Sequence, residues 1–295
     1  MSKNKFFLFA THRGLFTLEY DPASESTHVS LVREGHSYGI ASRDNIVYVK
    51  HEDSVIGKYQ FENDSLKLLK EIELKFPVSP KAVHQITIDY NGDILITDTD
   101  NNRVITINDN GELIAEYNLG PIGQDVLHLN SVFPTEKKIH ILAHMKNTPP
   151  SKLIVIDNKQ FLSNRKEKSL FYGGCHNIYL KGQEVFYCAS SIGRFVKYNL
   201  VTERLHDLYY QGHVKGLSVV GDEFFCGVSD VKERSERAYS HCSLAIIDNV
   251  NFRKKNIIPL QCKEFGRELG NFNEIRCLSE TDLSLNSSDS KLTTL

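Results

Sequence analysis

The chain has 295 residues, 40% of them hydrophobic and 24% charged, an ordinary globular composition with room for one closed all-β domain. Its formal net charge is −2, and the only dense basic runs, at 164–168 and 253–255, read as solvated loops, so nucleic acid is not an expected partner. No stretch approaches the roughly 18 apolar residues of a membrane span, so no membrane is expected either.

The N-terminal apolar run, residues 6–10, is too short for a signal-peptide core. Six cysteines (Cys175, Cys188, Cys226, Cys242, Cys262, Cys277) lack C-x-x-C spacing, and four lie in or beside apolar strand patterns. They are expected to be buried free thiols, and the protein is expected in the reducing cytoplasm.

Taken in order, the chain opens with FFLFAT, GLFTLEY and HVSLVRE, three strand-like runs. A recurring pattern then begins, a histidine four residues before an aliphatic residue: HSYGI from His36, HQITI from His84, HLNSV from His128, HNIYL from His176 and HVKGL from His213. Successive steps of 48, 44, 48 and 37 residues match the roughly 40–50 residues of a four-stranded propeller blade. Each copy continues into a second strand such as DILITD from Asp93 and a third such as RVITIN from Arg103; a more polar fourth closes it. EIRCL, from Glu274 to Leu278, repeats the first-strand pattern with glutamate in the histidine slot. The expected fold is therefore an all-β, six-bladed propeller over residues 1–279, with the last strand pairing with the N-terminal strands to close the ring. Five blades are the alternative. Residues 147–151 (NTPPS) read as a turn, 229–242 as an insertion in the sixth blade, and the Ser/Thr-rich residues 280–295 as a disordered tail.

Residues 84–107, HQITIDYNGDILITDTDNNRVITI, closely resemble an NHL repeat, whose pattern runs roughly H-P-x-G-I-A-V-D, G-N-I-Y-V-x-D, N-N-R-V. In that resemblance Asp98, Asp100 and Asn102 are structural turn residues.

First strands line a propeller's channel, so His36, His84, His128, His176, His213 and Glu274 are expected to form one axial ring. Imidazoles and a carboxylate on an axis suit a divalent transition metal, zinc or iron first, with copper, manganese or nickel also possible. Alternate blades give two trios, His36/His128/His213 and His84/His176/Glu274; the first is favoured for an open catalytic site. The ring also resembles that of the lyase domain of peptidylglycine α-amidating enzymes, a six-bladed propeller whose zinc histidines open first strands on alternate blades. That resemblance implies zinc on His36, His128 and His213. The proline preceding those histidines in the family is absent here, and no counterpart of its catalytic tyrosine or arginine is found, so its reaction does not transfer. GHVKGLSVVGDEFFCGVSDVKER, with DVLHLNSV and GCHNIYL, is similar to a group of bacterial cytoplasmic propellers of unassigned function.

Loops between second and third strands are expected at the channel mouth, carrying His12, His51 and Glu52, His144, Ser190 and the insertion with Arg234 and Arg237. His12, His51 and His144 are candidate proton shuttles, and Arg234 and Arg237 candidates to grip a substrate carboxylate or phosphate. Gln85, Asn130, Asn177, Lys215 and Asp125 are expected to point into the channel or orient the histidines. The expected function is a metal-dependent lyase or hydrolase acting on a small polar substrate, with metal-dependent oxygen chemistry also open. The alternatives are a non-catalytic propeller that binds a peptide, glycan or protein partner, and a calcium-dependent lactonase-type propeller, which axial imidazole disfavours.

Overall fold

The computed structural model describes residues 4–52, 55–76, 83–146, 149–157 and 164–282. Within them, six four-stranded antiparallel sheets are arranged as the blades of a propeller. Blade 3 is the repeat read from the sequence, with strands Val83–Ile88, Ile94–Asp98, Arg103–Ile107 and Leu113–Asn118 running from the axis outward. Blades 2, 4, 5 and 6 follow the same order, with inner strands Ser37–Arg43, Leu129–Pro134, Cys175–Lys181 and His213–Val220.

Blade 1 closes the ring as expected. Its inner strand is Phe272–Cys277, followed outward by Lys5–Thr11, Gly14–Asp21 and Ser26–Glu34. Phe7 lies opposite Cys277 and Ala10 opposite Glu274. The pairing leaves neither terminal strand with an open edge towards the other, which is how a propeller avoids templating aggregation.

Strand alternation puts aromatic and β-branched residues between the blades. Phe186 and Phe195 of blade 5 meet Phe224 of blade 6 at 4.8 and 5.1 Å, while Phe7 of blade 1 meets Phe225 of blade 6 at 4.8 Å. Full burial of each such ring contributes about 2–3 kcal/mol. All six cysteines are buried and free.

Three sequence expectations need adjustment or lie partly outside the described residues. The insertion in blade 6 holds a short 3-10 turn, Arg234–Tyr239, between Ser229 and Cys242. Of the turn expected at 147–151, residues 147 and 148 lie outside the described residues. The segment expected to be a loose tail from 280 is anchored at its start: the buried Asp282 carboxylate accepts hydrogen bonds from Ser218 Oγ (2.6 Å), Val219 N (3.0 Å) and Cys277 N (3.1 Å). Residues 283–295 lie outside the description.

One feature recurs in all six inner strands and was not anticipated. Each carries a β-bulge, at Tyr38–Gly39, His84–Gln85, Asn130, Asn177, Gly216 and Asn273. Bulges re-aim side chains and bend a strand, and here they set what reaches the axis.

Candidate functional site

The bulges stitch the blades together beneath the channel mouth. Gln85 Oε1 accepts from Val132 N of blade 4 (2.7 Å), Asn177 Oδ1 from Gly216 N of blade 6 (2.8 Å), and Asn130 Nδ2 donates to Cys175 O of blade 5 (3.3 Å). Asn273 Nδ2 donates to Ser37 O of blade 2 (2.7 Å). Where no carboxamide bridges, glycine lets the backbones approach. A Cβ on Gly39 would stand 2.5 Å from Ile86 N, and one on Gly216 (φ +77) 3.1 Å from the Glu274 carbonyl carbon.

At the centre of this floor sits Glu274. Its carboxylate accepts from Gln85 Nε2 (2.8 Å), Asn177 Nδ2 (3.0 Å) and the guanidinium of Arg276 (2.8 Å), which is itself buried. Burial pushes the Glu274 carboxyl up, with Arg276 pulling it down. Glu274 does not line the large cavity at the mouth; with His84 and His176 it lines a much smaller one.

Above the floor, a cavity of about 730 Å³ opens at the end of the propeller where inner strands begin. His12, His36, His84, His128, His144, His176 and His213 all line it, together with Tyr38, Lys215, Arg234 and Arg237. The histidines do not form one level ring. His84 lies in its strand's bulge, His176 one residue before, His128 two before and His213 three before. The common spacing of histidine to aliphatic residue concealed this stagger, because each bulge inserts one extra residue but at a different distance from the histidine.

The imidazoles group by contact rather than by alternate blades. His84, His128, His144 and His176 form an arc over blades 3 to 5, with successive ring centroids 5.0, 5.0 and 5.2 Å apart. On the other side His12 stacks on His36 (4.2 Å) and His36 on Tyr38 (4.1 Å). The expected trio His36/His128/His213 lines this same cavity but, among the described residues, does not form a group that could hold a metal ion. His144, expected only as a proton shuttle, stands between His128 and His176. His51 is the clearest correction: it lies inside blade 2, 2% exposed, between Ser37 Oγ and Tyr59 Oη at 3.0 Å each, because its strand pairing with Ser37 turns it away from the cavity.

Burial is the first cause that lowers the pKa of His12, His84, His128, His144, His176 and His213 and so favours their neutral forms. It lowers His84 and His176 well below the usual histidine range, His144 to about 4 and His12 to about 2. Lys215 adds to the effect on all six of these: His12, His84, His128, His144, His176 and His213. An ammonium felt by so many rings sits centrally, so Lys215 is a cavity residue in its own right rather than a helper to one histidine. Its own pKa is pushed down to about 8, by burial first and by Arg237 next.

Several tautomers are fixed from behind. Nδ1 of His128 faces the Asp125 carboxylate (3.0 Å to each oxygen), and Nδ1 of His12 and His213 face the carbonyls of Asn271 and Ser190 (3.2 Å each). Each such contact holds a proton on Nδ1 and leaves the Nε2 lone pair available, the tautomer used both by a general base and by a metal ligand. Asn102 of the repeat's NNRV turn holds the His128 loop from the neighbouring blade: its Oδ1 accepts from Leu127 N (2.7 Å) and its Nδ2 donates to Pro121 O (2.7 Å). Asp98 accepts from Asn101 Nδ2 (2.9 Å) and Arg103 Nε (2.6 Å), the structural role expected of it.

The donor chemistry suits zinc or iron. The placement does not make a ligand set: among the described residues no three His, Cys, Asp or Glu side chains are arranged as a group that could hold a metal ion. Tyr38, Lys146, Asn271 and Asn273 are lining residues that the sequence did not single out. Asn273 lies one residue before the matched EIRCL run, and only its bulge brings it to the cavity.

The fold defines the chain as a six-bladed β-propeller. No family description matches its sequence, and no curated protein does. By shape it is similar to a chain of the nidogen/laminin complex, at 12% identity over 93% of this chain and 98% of that one, TM-score 0.66. It is also similar to a protein of unknown function from Bacteroides caccae (12% identity, 94% and 100% covered, TM-score 0.61). A third similar structure is virginiamycin B lyase from Staphylococcus aureus (14% identity, 88% and 85% covered, TM-score 0.51). At these identities the likeness is one of fold.

Proposed function

We propose that the axial cavity is an active site of lyase or hydrolase type for a small polar molecule. The observation that carries this reading is the convergence of seven imidazoles in one cavity with a sealed polar floor. His128, oriented by Asp125, is the residue placed to take or give a proton at Nε2. His144 and His176 stand within the same arc to relay it. A virginiamycin B lyase among the propellers of similar shape is compatible with such chemistry and carries no more than that.

Metal dependence is the finer part of the proposal. The neighbouring imidazoles of the arc His84, His128, His144 and His176 would hold a single zinc or iron ion only after their side chains re-aim, since as placed among the described residues no three of them form a ligand set; copper, manganese or nickel suit the same donors. Such an ion would act as a Lewis acid on a substrate oxygen. Six buried free thiols support a reducing compartment such as the cytoplasm.

Elemental analysis of protein purified without chelator tests the metal part. About one transition metal per chain is expected, lost in His128→Ala and in His144→Ala. A metal-free wild type whose melting temperature ignores chelator would remove the metal and leave acid–base chemistry. Screening that protein against small lactones, esters and β-eliminable substrates tests the enzymatic part; no turnover in either metal state would sink it.

A binding propeller is the second reading, favoured by apolar side chains exposed on the mouth face: Phe171 (64% exposed), Ile122 (63%) and Val231 (70%). A partner that still binds after His128→Ala and His144→Ala would favour it.

A further inference from the structure

The cations of the cavity are unevenly placed. Three of the four lysines and arginines that line it, Lys215, Arg234 and Arg237, belong to blade 6, the two arginines on the 3-10 turn of its insertion and Lys215 on the inner strand, one residue before the bulge glycine; the fourth, Lys146 of blade 4, pairs with Asp125. Arg237 is half-buried, and its Nε is shielded from solvent without a hydrogen-bond partner. Neither Lys215, Arg234 nor Arg237 is in a salt bridge among the described residues. Three acids line the cavity: Asp125 is engaged by His128 and by Lys146 (2.9 Å), while Glu52 and Asp100 belong to blades 2 and 3, not to blade 6. Glu233 pulls on Arg237 less strongly than Arg234 pushes against it.

Like charges gathered in a partly desolvated site repel one another and lose hydration, and a bound anion reverses both costs. The burial that shifts Lys215 and Arg237 downward is the same strain seen from the side of the protons.

We propose that Lys215, Arg234 and Arg237 form an oxyanion-binding subsite that takes the phosphate or carboxylate group of the molecule bound in the axial cavity. The inference rests on the reading of that cavity as a small-molecule site and names the class of ligand. A guanidinium fork engages two oxygens of such a group, and the lysine adds a point charge. In a six-bladed ring blade 6 faces blade 3, so an anion held there directs the rest of the ligand across the cavity to the arc formed by His84, His128 and His144. The volume of about 730 Å³ admits a molecule of metabolite size beyond the anchored group.

The full chain, stripped of metal with chelator in chloride-free buffer, is titrated by calorimetry with inorganic phosphate and separately with malonate. Saturable one-site binding tighter than about 1 mM is expected for at least one of them. Affinity is expected to fall at least tenfold in Arg237→Gln and Lys215→Gln, and to stay unchanged in Lys255→Gln, on the outermost strand of blade 6. Binding of only one anion identifies the group as phosphate or carboxylate. Circular dichroism and melting confirm folding of each variant; should Lys215→Gln not fold, Arg237→Gln decides, since Arg237 lies outside the sheets. No saturable binding to folded wild type, or binding indifferent to the cavity substitutions, overturns the proposal. Because the titration is run without metal and reads binding alone, its failure leaves metal uptake and turnover to be judged separately.

Discussion

Nδ1 of His128 stands 3.0 Å from both oxygens of Asp125, three residues earlier, and both residues have positive φ (49° and 30°). Non-glycine residues pay about 1–3 kcal/mol to stay in that region, and such strain concentrates at functional sites. The strained turn presents the carboxylate to the back of the imidazole and leaves Nε2 facing the cavity. Asp125 raises the pKa of His128 against the larger lowering by burial.

Asp125→Asn is therefore expected to lower the His128 pKa further and to loosen its tautomer. Nitrogen NMR of the histidines checks this directly: wild type should show His128 protonated at Nδ1, the variant a mixture. Turnover, measured with whatever substrate the screen finds, should fall by about 10²-fold or more, the scale of a general base. An unchanged tautomer with unchanged turnover would show the pair to be a fold contact only.

The propeller and its closure were legible because they rest on repetition: strand-length apolar runs, NNRV-type turns and a blade-sized period. The lining of the candidate site was legible in residue type and not in arrangement. His36, His84, His128, His176 and His213 do meet in one cavity with His12, His144, Arg234 and Arg237. Their depths could not be read, because one extra residue in a strand reverses which face every later side chain occupies, and bulges leave no reliable mark in a single sequence. The same cause hid Asn273 and the split by which Glu274 meets His84 and His176 in a smaller cavity and not in the large one. His51 failed for a different reason: a histidine at a strand's end looks the same whether its ring turns to the mouth or to a serine and tyrosine within the blade.

Stability should decline below neutral pH. His140, 3% exposed inside blade 4, has its pKa lowered by burial from 6.5 to about 4. Above pH 6.5 it is neutral folded or unfolded. As pH falls through that value the unfolded chain takes a proton that the fold refuses, so stability is lost progressively down to about pH 4. At pH 5 this one group accounts for about 2 kcal/mol. The cavity histidines shift in the same direction. Urea unfolding of chelated protein at pH 7, 6 and 5 should show the loss, with a shallower slope in His140→Gln. A flat profile from pH 7 to 5 would contradict the burial argument.

The pair Glu274 and Arg276, each 2% exposed or less, makes a sharper prediction. Glu274→Gln keeps an acceptor at the centre of the floor but leaves a buried guanidinium without its counter-charge. Breaking one side of such a pair costs about 3–5 kcal/mol, whereas replacing both by apolar groups is often close to neutral. Glu274→Gln should therefore be less stable in denaturant than the double variant Glu274→Gln/Arg276→Met. The reverse order would mean that the carboxylate, not the charge balance, holds the floor.

Asp282 tests how the ring is sealed. Its carboxylate joins Ser218 and Val219 of blade 6 to Cys277 of blade 1, across the seam next to the terminal closure. Leu278 N, donating to Phe6 O at 2.7 Å, ties the same strand end to the N-terminal strand. Hydrogen bonds to a charged group contribute about 1.5–3 kcal/mol each at most, and the lost partners here are two backbone N–H groups that water reaches poorly. Asp282→Ala is expected to cost about 2–4 kcal/mol, and Asp282→Asn, which retains one acceptor oxygen, about half as much. Hydrogen exchange should localise the effect, with the Val219 and Cys277 amides losing protection while the blade 3 amides Ile96 and Ile105 keep theirs. Uniform loss of protection would make Asp282 a contributor to global stability rather than the latch on this seam.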